Sequence, residues 1–364
     1  MSMFDTMLKD GESLFKNEIA LDFSFQPKLI PHRESEQRLI INAIKPLLQR
    51  RNGRNLILTG KPGIGKTALT RHVLQILEDE SETLPEEESA EVMTVFINCW
   101  KKNTSFKIAE DICHQIGYML TQNKRTDELL GMIVRIANKK SVVLVFDEID
   151  KVDDHDFLYT LLEELYRKTI ILITNYDEWY AGMDERIRSR FMPEMVRFEP
   201  YSARATRDIL DQRKEYAFVP GVWEDEAFDL VVDKAFEVED IRTGLQVMKE
   251  AGIAAEDKAS RKIGNEHVGT ALKKAERFAI KDSDQLEEET QTILDIVKGH
   301  SGKRIGDLFR LYEAGGGKLN YKSFQRKIKK LADNSYVTTE KQTGGANGTT
   351  TFVSYGKEKK LTDF

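Results

Sequence analysis

The chain has 364 residues, of which 40% are hydrophobic and 32% charged, enough apolar material for real cores and too much for wholesale disorder. Its net charge of −6 argues, as a sum, against nucleic-acid binding, because phosphate contacts need positive charge. Cys99 and Cys113 are the only cysteines, which excludes a disulfide framework and a four-cysteine zinc site.

At roughly 150 residues per domain, the length predicts two to three domains. The acidic, interrupted N-terminus has no basic segment followed by an apolar one, so no signal peptide is predicted. No stretch approaches the ~18 uninterrupted apolar residues of a membrane span. A reducing, cytoplasmic location without a membrane partner is the expectation. The net charge also hides opposed segments. Residues 78–91 (EDESETLPEEESAE) hold eight acids and no base, and read as a solvated loop. Residues 300–364 hold 13 Lys/Arg against six Asp/Glu, a net of +7, so the other 299 residues carry −13. A basic C-terminal domain is compatible with the acidic total.

In chain order, residues 56–59 (LILT) form a short apolar strand that ends in a Gly-rich segment, and 68–77 have helical spacing. Residues 92–98 (VMTVFIN) read as a buried strand and 106–120 as a helix. Residues 141–146 (SVVLVF) are a β-branched run typical of a parallel-sheet core. A helix over 157–165, a strand over 169–174 (TIILIT) and a last strand over 195–198 follow. Strands alternating with helices predict an α/β domain with a parallel sheet. From about 202 to 280 only helical patterns are visible. Linkers are placed near 199–202 and 281–285. From 287 onward two or three short helices precede a Gly/Thr-rich hairpin. The predicted boundaries are 1–200, 201–283 and 284–364.

The chemistry begins after the first strand. Gly60-Lys61-Pro62-Gly63-Ile64-Gly65-Lys66-Thr67 fits G-x-x-x-x-G-K-[ST] in full, between a strand and a helix, as a phosphate-binding loop requires. The glycines let the backbone turn tightly and present N–H groups inward, and the following helix adds its N-terminal partial charge. Lys66 can reach the β- and γ-phosphates of ATP, and Thr67 can supply a hydroxyl to Mg²⁺. The strand over 142–146 ends at Asp147-Glu148, where the tip of a neighbouring parallel strand faces that loop. Asp147 would hold Mg²⁺ through water and Glu148 would polarise the attacking water. Asn175 ends the TIILIT strand and can contact the γ-phosphate or orient water; the other reading is a turn-forming Asn.

Phosphate loop, acid pair, strand-tip Asn and a following helical segment together resemble an AAA+ ATPase. Pro31-His32-Arg33-Glu34 ahead of the loop, DERIRSRF (184–191), FEPYSARATRDILDQR (198–213) and DIRTGLQVMKEAGIAAE (240–256) narrow the resemblance to the archaeal origin-recognition and cell-division-control replication initiators. It covers roughly residues 27–355, and it implies an α/β AAA+ domain, an all-α lid and a C-terminal winged helix. It also implies that His32 and Arg33 lie beside the adenine. Ala68, Tyr201 and Arg213 join the nucleotide-binding candidates. Arg242 matches the second sensor arginine, which would touch the γ-phosphate and couple nucleotide state to lid angle. Arg190 is the favoured arginine finger, acting on a neighbour's nucleotide, with Arg186 the alternative. Ile241, Thr243 and Gly244 depart from the family pattern. Lys101, Lys102 and Lys107 lie where the family has a DNA-touching helical insertion.

Residues 320–331 (NYKSFQRKIKKL) place Tyr321, Phe324, Ile328 and Leu331 on one helix face. Lys322, Arg326, Lys329 and Lys330 lie largely off it. A glycine turn at 315–317 and a helix near 305–309 precede this segment. Strands over 336–339 and 350–353 follow, joined by KQTGGANG. That order is a helix-turn-helix with a wing, whose second helix would enter the major groove. Lys322, Ser323, Gln325, Arg326 and Lys329 are the candidate DNA contacts; which of them reads bases is left open.

The resemblance implies a replication initiator. It would bind ATP/ADP with Mg²⁺, bind duplex origin DNA and promote loading of a replicative helicase, with a second copy or a paralogue on the same DNA. Slow hydrolysis would reset the switch. The alternatives are a DNA-binding regulator that scarcely hydrolyses ATP and a clamp-loader-like ATPase.

Overall fold

The computed structural model describes residues 13–83, 91–284, 288–317, 319–333, 336–343 and 349–355. The chain divides into two compact units, Met1–Leu272 and Lys273–Phe364.

In the first unit, helix α1 (Glu34–Ile44) leads into strand β1 (Leu56–Thr59), helix α2 (Lys66–Thr83) and strand β2 (Val92–Asn98). Helices α3 (Ser105–Gln115) and α4 (Thr126–Ala137) precede strand β3 (Ser141–Asp147). Helix α5 (Asp156–Glu164), strand β4 (Lys168–Ile173), helix α6 (Glu185–Phe191) and strand β5 (Glu194–Arg197) complete the α/β part. The strands form one sheet of order β2-β3-β4-β1-β5, parallel throughout.

Alternation explains why these strands read as unbroken apolar runs. Val142, Leu144 and Phe146 of β3 pack with α3, α4, α5 and α6 on one face. Val143 and Val145 pack with α1 and α2 on the other. Both faces are covered, so neither parity is free to be polar. All five strands lie where the sequence places them, within a residue or so at the ends. Cys99 and Cys113 are both buried.

The helices depart further from expectation. The predicted helix over 106–120 stops at Gln115, because the chain reverses at Gly117 (φ 87°) and Tyr118 N–H turns back to Cys113 O at 2.8 Å. Met119 and Leu120 beyond it are exposed. The acidic run is not wholly a loop. Helix α2 continues through Thr83, and Glu78 accepts a hydrogen bond from Thr94 of β2, which anchors the helix end to the sheet. Residues 84–90 of that run lie outside the described residues.

The rest of this unit is helical: α7 (Ala203–Ala217), α8 (Asp225–Glu237), α9 (Ile241–Asp257) and the first turns of α10 (Asn265–Asp284). Their core includes Phe218, Phe228, Val231, Leu245 and Met248. The N-terminal segment docks into it through Leu14, Ala20 and Leu21, with Phe15 at 4.8 Å from Phe218. Gly244 has a packing reason: a Cβ there would meet Leu210 at 2.9 Å and Ala235 at 3.0 Å, so α9 can approach α7 and α8 only without a side chain. The expected linker over 281–285 is instead helical through Asp284.

The second unit contains α11 (Glu288–Gly299), β6 (Lys303–Arg304), α12 (Ile305–Ala314), α13 (Tyr321–Asp333) and the hairpin β7 (Val337–Thr343)–β8 (Thr349–Tyr355). Its sheet, of order β6-β8-β7, is antiparallel. The core gathers Ile293, Val297, Leu308, Tyr312, Phe324, Ile328, Leu331 and Val353. Among the described residues no helix is long and apolar enough to cross a membrane.

Asn55, just before β1, braces the sheet. Its Oδ1 accepts the Ile170 N–H at 3.0 Å and its Nδ2 donates to Phe191 O at 2.8 Å. Asn55→Ala leaves the N–H of fully buried Ile170 unpaired. We expect it to lower unfolding free energy by about 1–3 kcal/mol in denaturant titrations; an unchanged midpoint would mean that water replaces the carboxamide.

Candidate nucleotide site

The phosphate loop follows β1 and opens α2. Gly63 (φ 77°) and Gly65 (φ 92°) adopt left-handed backbone that a side chain rarely takes. Neither has room for one: a Cβ would come within 2.0 Å of the Asp240 carboxylate at Gly63 and within 2.7 Å of the Tyr201 hydroxyl at Gly65. Lys66 is buried, and its ammonium donates to Gly60 O (2.6 Å), Lys61 O (2.8 Å) and Asn175 Oδ1 (2.8 Å). Burial brings its pKa from 10.5 down to about 8.

Asn175 thereby joins the tip of β4 to the phosphate loop. Thr67 donates to Asp147 Oδ2 at 2.9 Å, which joins the loop to the tip of β3. Asp147 is buried, and burial raises its pKa against the pull of Thr67, Arg71 and Lys66. Glu148 is left-handed (φ 56°), and its pKa is raised first by burial and then by Asp147 and Asp150. Arg242 opens α9, where Asp240 caps its backbone N–H at 2.8 Å, and its guanidinium is half exposed.

These groups line a cavity of about 600 Å³. Lys66, Thr67, Asp147, Glu148, Asn175 and Arg242 are part of its polar lining. Phe23, Pro27, Leu29, Ile30 and Pro31 from the N-terminal segment, with Ile209 and Leu245 from the helical part, are part of its apolar lining. Phosphates suit the polar groups and a planar base suits the apolar ones.

The other candidates divide. Ala68, Tyr201 and Arg213 line the cavity. Arg213 also donates to Ala20 O and Phe25 O, so it holds the N-terminal segment in place. His32 and Arg33 lie outside the lining. His32 pairs with Asp208 of α7 at 2.9 Å. Arg33 is buried behind the loop, donates to Ile64 O (3.0 Å) and Glu199 O (2.7 Å), and stacks 4.0 Å from the Tyr201 ring centre. In the loop, Lys61 pairs with Glu239, Pro62 is exposed and Ile64 is a core residue. Arg190 pairs with Glu163 at 2.5 Å and Arg186 with Asp184 at 3.0 Å, both outside the cavity.

In the second unit, Phe324, Ile328 and Leu331 of α13 are buried, whereas Tyr321 is exposed at the helix start. Lys322, Gln325, Arg326 and Lys329 are exposed. Ser323 is half-buried, and its N–H is capped by Asn320 at 2.9 Å. The side chain of Lys330 and residues 344–348 of the hairpin tip lie outside the described residues.

Sequence reasoning missed Asn98, Arg71 and Asp240. Asn98 ends β2 and stands in register with Asp147. A polar residue at a strand tip was the available signal, the same one that identified Asn175. Arg71 lies one helical turn beyond Thr67, stacked 3.7 Å from the ring centre of Phe96.

A parallel sheet, a Gly-rich loop holding a buried lysine and a helical cap define a AAA-type nucleotide-binding protein. A family model described as AAA domain matches residues 49–176. One described as Cdc6 AAA+ ATPase-type lid domain matches 207–273. An ORC1-type DNA replication protein of Pyrococcus horikoshii is 31% identical over 307 residues, which cover 80% of this chain and 71% of that relative. ORC1-type DNA replication protein 1 of Methanothermobacter thermautotrophicus is 27% identical over 379 residues, covering 99% and 98%. The Aeropyrum pernix ORC1 protein, solved in complex with DNA, superposes with a TM-score of 0.77 at 25% identity over 96% of this chain and 95% of that one. The chain belongs to the ORC1-type DNA replication protein family, the family its motifs resemble.

The Lys66 shift has a measurable sign. Between about 8 and 10.5 the unfolded chain holds a proton that the folded chain has released, so stability rises with pH across that window. We expect the nucleotide-free wild type to gain on Lys66→Met by up to about 3 kcal/mol as pH rises from about 8 to about 10. Matched denaturant titrations check this, and a constant difference would mean that the ammonium is solvated.

Proposed function

We propose that this chain is an ATP-dependent replication initiator that binds duplex origin DNA and promotes loading of a replicative helicase. The observation that carries the reading is one buried lysine bonded to both the phosphate loop and a strand-tip Asn, beside an acid pair and under a helical arginine, in a chain that also presents a basic exposed helix. The labour is divided over residues 1–200, 201–283 and 284–364: nucleotide site, lid and DNA-binding winged helix. The order helix, strand, helix, helix, hairpin in the second unit supports the last assignment.

The donor set fits the ligands. A buried ammonium satisfied by carbonyl oxygens is ready to exchange them for phosphate oxygens. Among the described residues no cluster of three or more His, Cys, Asp or Glu forms a metal site. Thr67 and Asp147 offer two hard oxygens instead, which suits Mg²⁺, a cation that usually keeps waters and takes the rest of its shell from substrate phosphates. Thr67 and Asp147 would hold it, and its chemistry there is neutralisation of phosphate charge.

Glu148 then polarises the attacking water, and Asn175 orients that water or the γ-phosphate. Arg242 reads the γ-phosphate from the lid, and Arg190 of a neighbouring copy completes the charge. Hydrolysis is slow and resets the assembled state. His32 and Arg33 serve the nucleotide from behind, by fixing the N-terminal segment and the loop. Lys322, Ser323, Gln325, Arg326 and Lys329 meet the DNA.

Two experiments test this. Steady-state turnover should fall by at least about 10²-fold in Glu148→Gln with nucleotide binding retained, whereas Lys66→Ala should lose binding itself; unchanged rates would remove both from the site. Fluorescence anisotropy on duplex DNA should show weaker binding by Lys322→Glu/Arg326→Glu, with a salt slope shallower by about one per lost phosphate contact. No binding by the wild type at low salt, with or without ATP, would overturn the DNA reading.

A further inference from the structure

We propose that Asp150 and Thr174 are positioning residues for ATP hydrolysis, joined by a buried carboxylate–hydroxyl bond that holds Glu148 and Asn175 in fixed relation. The inference rests on the roles proposed above for those two residues. Its basis is a chain of contacts at the end of the sheet.

Thr174 is the first residue after β4. Its N–H donates to Leu58 O of β1 at 3.0 Å, and its side chain is fully buried. Its hydroxyl donates to Asp150 Oδ1 at 3.0 Å and accepts the N–H of Tyr176 at 3.2 Å. Asn175 is therefore bracketed on both sides: the residue before it is tied to the sheet, and the residue after it is tied to the Thr174 hydroxyl. In that turn Asn175 Oδ1 accepts from Lys66 Nζ at 2.8 Å.

Asp150 fixes the other partner. It lies in the single turn Ile149–Lys151 that starts from Glu148, whose backbone is left-handed. The Asp150 side chain is only 4% exposed, and its second oxygen lies 3.1 Å from Lys151 Nζ. A buried carboxylate is costly unless paired and hydrogen-bonded. Here Oδ1 accepts the Thr174 hydroxyl on the turn that carries Asn175, while Oδ2 has the Lys151 ion pair and no hydrogen bond. A group meant only to cap the turn after Glu148 could be exposed and local; this one spans 24 residues of sequence to reach the next strand tip. The bond sets the separation of the two groups that act on water, which hydrolysis needs to within a fraction of an ångström.

The test compares Thr174→Val, which keeps the shape and loses the hydroxyl, with Thr174→Ser, which keeps the hydroxyl. Steady-state ATP turnover of the full chain, with ATP binding and melting temperature measured alongside, gives the readout. Thr174→Val should lower kcat by about tenfold or more with KM within about twofold. Thr174→Ser should stay near wild type. Asp150→Ala, which removes the acceptor, should behave like Thr174→Val, and the double variant should be no worse than either single one. If Thr174→Val does not fold, Thr174→Ala carries the same comparison. Full kcat in Thr174→Val, equal losses in Thr174→Val and Thr174→Ser, or a rise in KM alone would overturn the inference. Asn175→Ala separates the two levels: an unaffected rate there would remove the role of Asn175, whereas a loss there with normal Thr174→Val would remove only the positioning role.

Discussion

A positive charge at the first residue of a helix is badly placed, because the exposed N–H groups there are already partly positive. Lys66 occupies that position in α2 and is buried as well. Two carbonyls of the phosphate loop and the amide oxygen of Asn175 offset the cost. Much of the site follows from that arrangement. The loop must curl back to present those carbonyls, which requires glycine at 63 and 65. The tip of β4 must stand beside β1, which the strand order provides. An anion is the natural remaining partner for such an ammonium, and the cavity opens toward it.

The helical part of the first unit meets this loop through acids as well as through Arg242. Glu239 pairs with Lys61, and the Asp240 side chain occupies the space that a Cβ on Gly63 would need. Asp240 also caps the helix that Arg242 opens. Loop geometry and the start of α9 are therefore mutually dependent. The same economy governs charge along the chain. Residues 1–299 carry −13, whereas residues 300–364 carry +7. Lys322, Arg326 and Lys329 of α13 keep their charges exposed because Phe324, Ile328 and Leu331 alone fill the core.

The sheet was legible because each strand is covered on both faces and so leaves a run of β-branched and aliphatic residues. The phosphate loop, Asp147, Glu148 and Asn175 were legible because their chemistry is local in sequence. What escaped depends on contacts between distant segments. Helices α1, α4 and α6 were not anticipated: short amphipathic patterns beside polar stretches carry little signal until a partner face exists. The end of α2 was hidden by its acids, which remain helical because one of them is anchored on β2. Arg33 was expected beside the base, but its guanidinium is taken up by two carbonyls 31 and 166 residues away. The apolar wall at 23–30, ahead of Pro31, carries no motif and acquires meaning only where it docks on the helical part.

The central claim is that a nucleotide-controlled ATPase and a DNA-binding helix in one chain act together at an origin. Its most direct test is to sequence the DNA cross-linked to this protein across its own chromosome. The account predicts enrichment concentrated at a replication origin. Enrichment spread over promoters, or none above background, would contradict it.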